Sequence, residues 1–259
     1  MALYTISEVA ELCEINPVTL RAWQRRYGLL KPQRSEGGHR QFNEQDVARI
    51  HTIISWMERG VPVSQIKPLL DNPTAIEHDI NWNGLQQQLQ ALLHIPAPAK
   101  LRSCLFEQGR EYPPQILINH VLRPLRMQLF GPHELFQALR ALLDGIIIEY
   151  ATFCMNSSRK KAGKTALLLG WGKNDPIELW MHAIVLAKAG MHLDILPEAL
   201  EHPPLSLFKA DRYFIATEGS LNTYRRKQLA AWRLTGLDIT LVGSTALLAE
   251  HVEHNNGNV

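Results

Sequence analysis

Cysteine is scarce, with three residues in 259, Cys13, Cys104 and Cys154, and no CxxC pair among them. That spacing argues against a disulfide framework or a zinc ribbon and leaves three expected buried thiols of a reducing compartment. No apolar run approaches the about 20 residues that a membrane-crossing helix needs. The first fourteen residues carry no basic start and quickly turn acidic, so they are not expected to be a secretory signal. No membrane role is expected, and a cytoplasmic location is. The chain also lacks a nucleophile placed beside a base, a carboxylate cluster and a phosphate loop. The isolated Gly170-Trp171-Gly172 has neither GxGxxG spacing nor a P-loop lysine pattern. The expected catalytic set is therefore empty, and the chain does not read as an enzyme.

An excess of charge is lacking too, since 27 Lys and Arg face 25 Asp and Glu. What positive charge there is lies concentrated. From Arg21 to Arg40 there are six Lys or Arg and one acid, Glu36. A local basic patch on a folded module is the electrostatic footprint of nucleic-acid binding. Before it, Thr5 and Glu8 form a capping box for a short helix with Ile6, Val9, Ala10 and Cys13 on one face. Asn16 and Pro17 suit the cap and first position of a second helix. On that helix Leu20, Trp23 and Tyr27 share a face, and Thr19, Arg21, Arg25 and Arg26 are left to others. Two short helices and a brief turn describe a helix-turn-helix whose second helix enters the major groove. A solvated helix face is the plainer alternative for the three arginines.

Gly28 is expected to end that helix. Residues 29–32 can then run extended into a tip at 35–38, with 39–42 returning, which makes a β-hairpin wing. Lys31, Arg34 and Arg40 would hold flanking phosphates, and His39 backbone or minor groove. Asn43 caps a third expected helix with Val47, Ile50, Ile54 and Met57 on one face, stopped by Gly60. A fourth, near 64–70, supplies Ile66, Leu69 and Leu70 and should be shortened or kinked by Pro68.

The motifs TxxEVA, TLRxWxxRYGLLxPxR and GGHRxF, as they stand in residues 5–42, resemble the MerR family of transcription regulators. The resemblance covers residues 3–70. The GGHR wing and the RYG helix end look most like the branch with a cobalamin-binding-type C-terminal domain, and within it the chain is similar to regulators of curli and biofilm genes. The resemblance implies that Thr19, Arg21, Trp23, Arg25, Arg34, His39 and Arg40 match positions of the family's DNA-contacting helix and wing. Core packing is the competing role for Trp23. It further implies a homodimer on a palindromic promoter site in double-stranded DNA, deforming the duplex and acting as an activator.

Beyond a break at 71–74, Leu85, Leu89, Leu92 and Leu93 form a helical stripe, either a partner helix or internal packing. Further helices are expected at 101–106, 116–130 and 135–158, the last with Leu135, Leu139, Leu142, Ile146 and Tyr150 in register. Strands at 165–169, 192–196, 212–216 and 238–242 alternate with helices at 176–189 and 222–235, which implies a doubly wound parallel sheet. The expected organisation is a winged helix-turn-helix (1–72), a helical bundle (73–162) and a Rossmann-like, cobalamin-binding-type α/β domain (163–259).

The resemblance to that last domain is weaker and degenerate. Cobalamin-binding relatives use a tryptophan and a Glu-His pair above the corrin. Here the nearest pair is Glu149-Tyr150, and no tryptophan occurs between Trp82 and Trp171. Where the family has ExHELG, the chain has Asp175, Pro176, Ile177, Glu178, Leu179 and Trp180. Ile177 stands at the ligand position and Trp180 replaces a glycine, while a later double glycine becomes Gly243-Ser244. His182 and His192 read as structural or surface residues, and His251 and His254 as a solvated tail rather than a metal site. No cofactor and no metal are expected. The C-terminal domain would bind a regulatory protein partner or a small-molecule effector, or scaffold the dimer. The alternative is a true cobalamin-dependent light or cofactor sensor.

Overall fold

The computed structural model describes residues 3–244 except 36, 59, 72–81, 96 and 173. The chain divides into two units between Ile146 and Ile147, within one long helix.

In the first unit, α1 (Ile6–Leu12) opens with the reciprocal cap the sequence announces. Glu8 N donates to Thr5 Oγ1 at 3.3 Å and Thr5 N to Glu8 Oε2 at 2.6 Å, and hydrogen bonding of the carboxylate to the Thr5 backbone and then its side chain holds the Glu8 carboxyl below its ordinary value. Glu14, at φ 51°, turns the chain into α2 (Pro17–Ala22), where Val18 N donates to Asn16 Oδ1 at 2.7 Å and Pro17 needs no donor. α2 continues into a wider π turn, Trp23–Tyr27, closed by Gly28 at φ 62°. The N–H groups of Gly28 and Leu29 both donate to the Trp23 carbonyl, a close that glycine's left-handed freedom permits.

The wing is shorter than expected and starts later. β1 (Gln33–Arg34) pairs antiparallel with β2 (Arg40–Gln41), and Tyr4 adds a bridge to Phe42 through bonds of 2.8 and 2.9 Å. Leu29 and Leu30, expected in the extended arm, are instead buried, and the ladder begins past Pro32, which has no N–H to give it. α3 (Glu44–Glu58) is capped reciprocally by Asn43 and Asp46 at 2.9 and 3.0 Å. Its buried face is Ile50, Ile53 and Met57. Ile54, expected there, lies at the edge of the stripe, half-buried. α4 (Val63–Asp71) keeps Pro68 inside rather than ending at it. Pro68 and Ser64, whose carbonyl loses its partner, are both exposed, so water can supply the missing bond.

The helices α5 (Trp82–His94) and α6 (Pro98–Glu111) follow. Then come α7 (Pro114–Leu117) and α8 (Arg123–Gln128), joined through a π turn at Ile118–Leu122. Leu89 and Leu93 of the expected stripe are buried, with Leu101, Leu105, Val121 and Leu125. α9 (Glu134–Ser158) buries Leu139, Leu143 and Ile146 and leaves Leu135 53% exposed, so its inner face begins a turn later than the periodicity suggested. Arg126 and Asp144 pair at 2.6 and 3.2 Å in a nearly buried fork between α8 and α9.

The second unit takes the rest of α9, with Ile147, Tyr150, Ala151 and Cys154 buried, and four parallel strands. β3 (Thr165–Trp171) is followed by α10 (Pro176–Lys188), β4 (His192–Leu200), β5 (Arg212–Ala216), α11 (Thr223–Leu234) and β6 (Ile239–Val242). The sheet order is β4-β3-β5-β6. β3 is central and buried on both faces, which is why it reads as a continuous apolar run. Leu167, Leu169 and Trp171 share one core with Tyr213, Ile215 and Leu229. β4 runs four residues past its expected end. It is an edge strand, where Pro197 is tolerated, and its register with β3 shifts between Leu169 and Trp171. The chain leaves β3 for β4 on one side and returns to β5 on the other, so the crevice of a doubly wound sheet lies between the carboxyl ends of β3 and β5. All three cysteines are buried and free, and burial pushes their thiols up. No helix among the described residues is long and apolar enough to cross a membrane.

Candidate nucleic-acid interface and sheet crevice

The second helix and its wing bring most of the expected basic residues to the surface. Arg21, Arg25 and Arg26 are exposed on α2 and its π turn, Thr19 is half-buried beside them, and Lys31, Arg34 and His39 are exposed along the wing. Among the described residues Arg21 and Arg25 carry no ion pair. Trp23 does not belong with them. At 2% exposure it is a core residue under the helix, because its spacing from Leu20 turns it inward, and its inclusion among DNA-facing side chains is corrected.

Arg40 is half-buried, and its Nε donates to Gln24 Oε1 at 2.5 Å, which ties β2 to the π turn. At the tip, Gly38 N donates to the Ser35 carbonyl at 2.8 Å, Ser35 N to the His39 carbonyl at 2.9 Å, and His39 N to Ser35 Oγ at 3.2 Å. Arg49 Nε donates to the Leu29 carbonyl at 2.7 Å and fixes the exit of the helix. Gln24 and Arg49 are supporting residues that sequence reasoning missed, since nothing local marks a partner 16 or 20 positions away. The result is an exposed row of guanidinium groups flanked by a basic wing. Arginine forks suit guanine edges and phosphates, and the wing cations suit flanking phosphates.

The crevice of the second unit is arranged differently. Trp171 is fully buried, its Nε1 donates to the Glu201 carbonyl at 3.0 Å, and its ring lies 4.8 Å from that of Trp232. Arg225 donates to Glu201 Oε2 at 2.8 Å and sits 5.6 Å above the Trp171 ring. Its guanidinium lies so close to Gly172 that a Cβ there would collide with it. Asn174 Nδ2 donates to the Ala216 carbonyl at 2.9 Å, Asp175 N to Glu218 Oε1 at 3.1 Å, and Gly219 N to Ser244 Oγ at 2.9 Å. Asp175 also caps α10 by accepting from Ile177 N at 3.0 Å. Gly243, at φ 95°, lies against the Thr217 carbonyl with no room for a side chain.

Residues 82–156 match the family described as transcriptional regulator MlrA, helical domain; 163–239 match the MlrA C-terminal domain; and 4–73 match the MerR HTH family regulatory proteins. The chain is 42% identical over 243 residues to the HTH-type transcriptional regulator MlrA of Escherichia coli (strain K12), covering 94% of this chain and all of that protein. It is 43% identical over 246 residues to the HTH-type transcriptional regulator MlrA of Salmonella typhimurium (strain SL1344), again covering 94% of this chain and all of its relative. The chain belongs to the MlrA family of HTH-type transcriptional regulators. A shorter likeness, 37% over 85 residues and 32% of this chain, extends to the HTH-type transcriptional repressor CarH of Myxococcus xanthus, of which it covers 28%.

In this MlrA-family chain the residues expected from the sequence at a degenerate cobalamin-type site are placed as follows. Ile177 is 7% exposed in the first turn of α10, Asp175, Glu178 and Trp180 are half-buried beside it, Glu149 is exposed on α9, and Tyr150 is buried with Lys188 Nζ 5.8 Å from its ring centre. An isoleucine has no lone pair for cobalt, so this donor set does not fit a corrin ligated from below. Among the described residues no group of three or more His, Cys, Asp or Glu could hold a metal ion. His182 is half-buried on α10, and His192 Nε2 lies 2.7 Å from the Lys161 carbonyl. His251 and His254 lie outside the described residues.

Proposed function

We propose that this MlrA-family regulator binds a palindromic promoter site in double-stranded DNA as a homodimer and activates curli and biofilm genes from the cytoplasm. The observation that carries the reading is the pair of exposed arginines Arg21 and Arg25, without an ion pair among the described residues, beside a wing carrying Lys31, Arg34, His39 and Arg40. Two copies are required because one module of this size buries too little surface for tight specific binding. Residues 1–72 serve as the reading head, 73–162 as a helical body, and 163–259 as a cobalamin-type fold that works without the cofactor and receives a partner protein or a different small ligand. What supports the last assignment is Ile177 at the ligand position and a crevice mouth occupied by Trp171 and Arg225.

Selection of operator duplexes from a randomised pool by the full-length protein, followed by anisotropy titration, tests the reading head. Arg21→Ala or Arg40→Ala should cut discrimination between the selected site and scrambled duplex by about 1–3 kcal/mol, and intact discrimination in both would refute it. Incubation in the dark with adenosyl-, methyl- and hydroxocobalamin followed by gel filtration tests the second assignment. A colourless protein peak is expected, and co-eluting cobalt absorbance would restore the cofactor-gated reading.

A further inference from the structure

The DNA-reading module is fastened to the helical body at two separated places. At the end of the second helix, the Tyr27 hydroxyl donates to the Arg110 carbonyl at 3.1 Å. Around the turn between α3 and α4, Tyr112 donates to the Gly60 carbonyl at 2.8 Å, Trp82 Nε1 to the Glu58 carbonyl at 2.8 Å, and Ser64 Oγ to Glu111 Oε2 at 2.6 Å. Three consecutive residues at the end of α6, Arg110, Glu111 and Tyr112, thus meet both places. The Trp82 ring lies 5.0 Å from Tyr112 on one side and is stacked at 5.0 Å on His120 on the other, so the donor at Glu58 is itself wedged. Tyr112 is 8% exposed.

Two points of attachment, one at the π turn and one at the α3–α4 turn, restrict rotation to the line that joins them, which one point does not. The first point is also the last turn of the helix that carries Arg21, Arg25 and Arg26. We infer that Tyr27 and Tyr112 are positioning residues that set the angle of the reading head on the helical body, and through it the half-site spacing the dimer accepts. This rests on the proposed dimeric, palindrome-binding function. Neither tyrosine is offered as a DNA contact. Their effect is geometric, because each added base pair turns one half-site about 34° around the duplex relative to the other. A rigid joint penalises that rotation and a loose one absorbs it.

The test uses the full-length chain and the inverted repeat it enriches from a randomised duplex pool, rebuilt with the spacer one base pair shorter and longer. Wild type should lose about tenfold in affinity per base pair of error, and Tyr27→Phe/Tyr112→Phe, which removes two of the four side-chain attachments, about threefold, at a similar affinity for the best spacer. The changes delete only hydroxyl groups, and Glu111→Ala, which removes the acceptor of Ser64, provides a second, independent loosening. A merely structural role would lower affinity at every spacer alike. An unchanged spacer profile in both variants overturns the inference while leaving the dimeric reading intact. Enrichment of no inverted repeat by wild type overturns both.

Discussion

Arg21 and Arg225 both lie on a helix with an asparagine N-cap, yet one faces solvent with no ion pair among the described residues and the other is folded over Trp171 and bonded to Glu201. The contrast extends to their surroundings. Around Arg21, internal bonds are made by neighbours such as Asn16, Gln24 and Arg49, which shape the backbone and leave the cations available. Around Arg225 the groups a ligand would need, namely Asn174, the Asp175 N–H, the Gly219 N–H and Arg225 itself, already bond to the Ala216 carbonyl, Glu218, Ser244 and Glu201 respectively. A surface kept ready for an outside partner therefore differs from a crevice that has become part of its own framework less in composition than in what the side chains are bonded to.

The largest expected effect concerns which side of this contrast Trp23 stands on. Trp23→Ala should destabilise the protein by about 3–5 kcal/mol, as deletion of a buried aromatic does, read as a lowered urea midpoint. A variant of wild-type stability with lost operator affinity would move Trp23 back among the DNA contacts. Next is the alkaline limb of stability. Burial first, and then Glu111, pushes the Tyr112 phenol from 10.0 up to about 12. The folded state favours the protonated form, so this contribution is whole below pH 10.0 and is lost as pH rises toward 12, at about 1.4 kcal/mol per pH unit. Tyr112→Phe should flatten that loss relative to wild type, and identical pH profiles would count against the buried donor.

The arginines themselves come third. Arg21→Ala should weaken operator binding by about 1–3 kcal/mol and reduce its salt dependence, whereas Arg225→Ala should leave both unchanged. Equal losses in the two titrations would erase the distinction drawn between the two regions. The smallest effect belongs to the frame of the reading helix. Asn16→Ala removes the cap at Val18 N and should cost about 1 kcal/mol in thermal or urea unfolding.

Legibility followed range. The Thr5–Glu8 box, the Asn43 cap, the Asn16–Pro17 start, the Gly28 close and the strand Arg212–Ala216 were readable because each is decided within a few residues. The inner faces of α3 and α9 were displaced because apolar positions outnumber buried ones there, and which of them turn inward is settled by elements far along the chain. Pro68 does not shorten α4, for the opposite reason: a local rule was applied where the exposed backbone leaves it little force. The basic face was legible as composition, whereas Gln24 beneath Arg40 and the Arg225–Glu201–Trp171 arrangement were not, since their partners lie 16 to 30 residues apart in sequence.

The position of β3 at the centre of the sheet has a consequence for how the chain is made. Synthesis runs from the N-terminus, so β3 emerges before either strand that will flank it, and β4 and β5 come from opposite directions after separate crossovers. Until both arrive, the segment Ala166-Leu167-Leu168-Leu169 presents two open edges and two apolar faces in a nascent chain whose DNA-reading module has already been synthesised. The interval before β5 pairs is thus the period when this regulator is most prone to stick to another copy of itself.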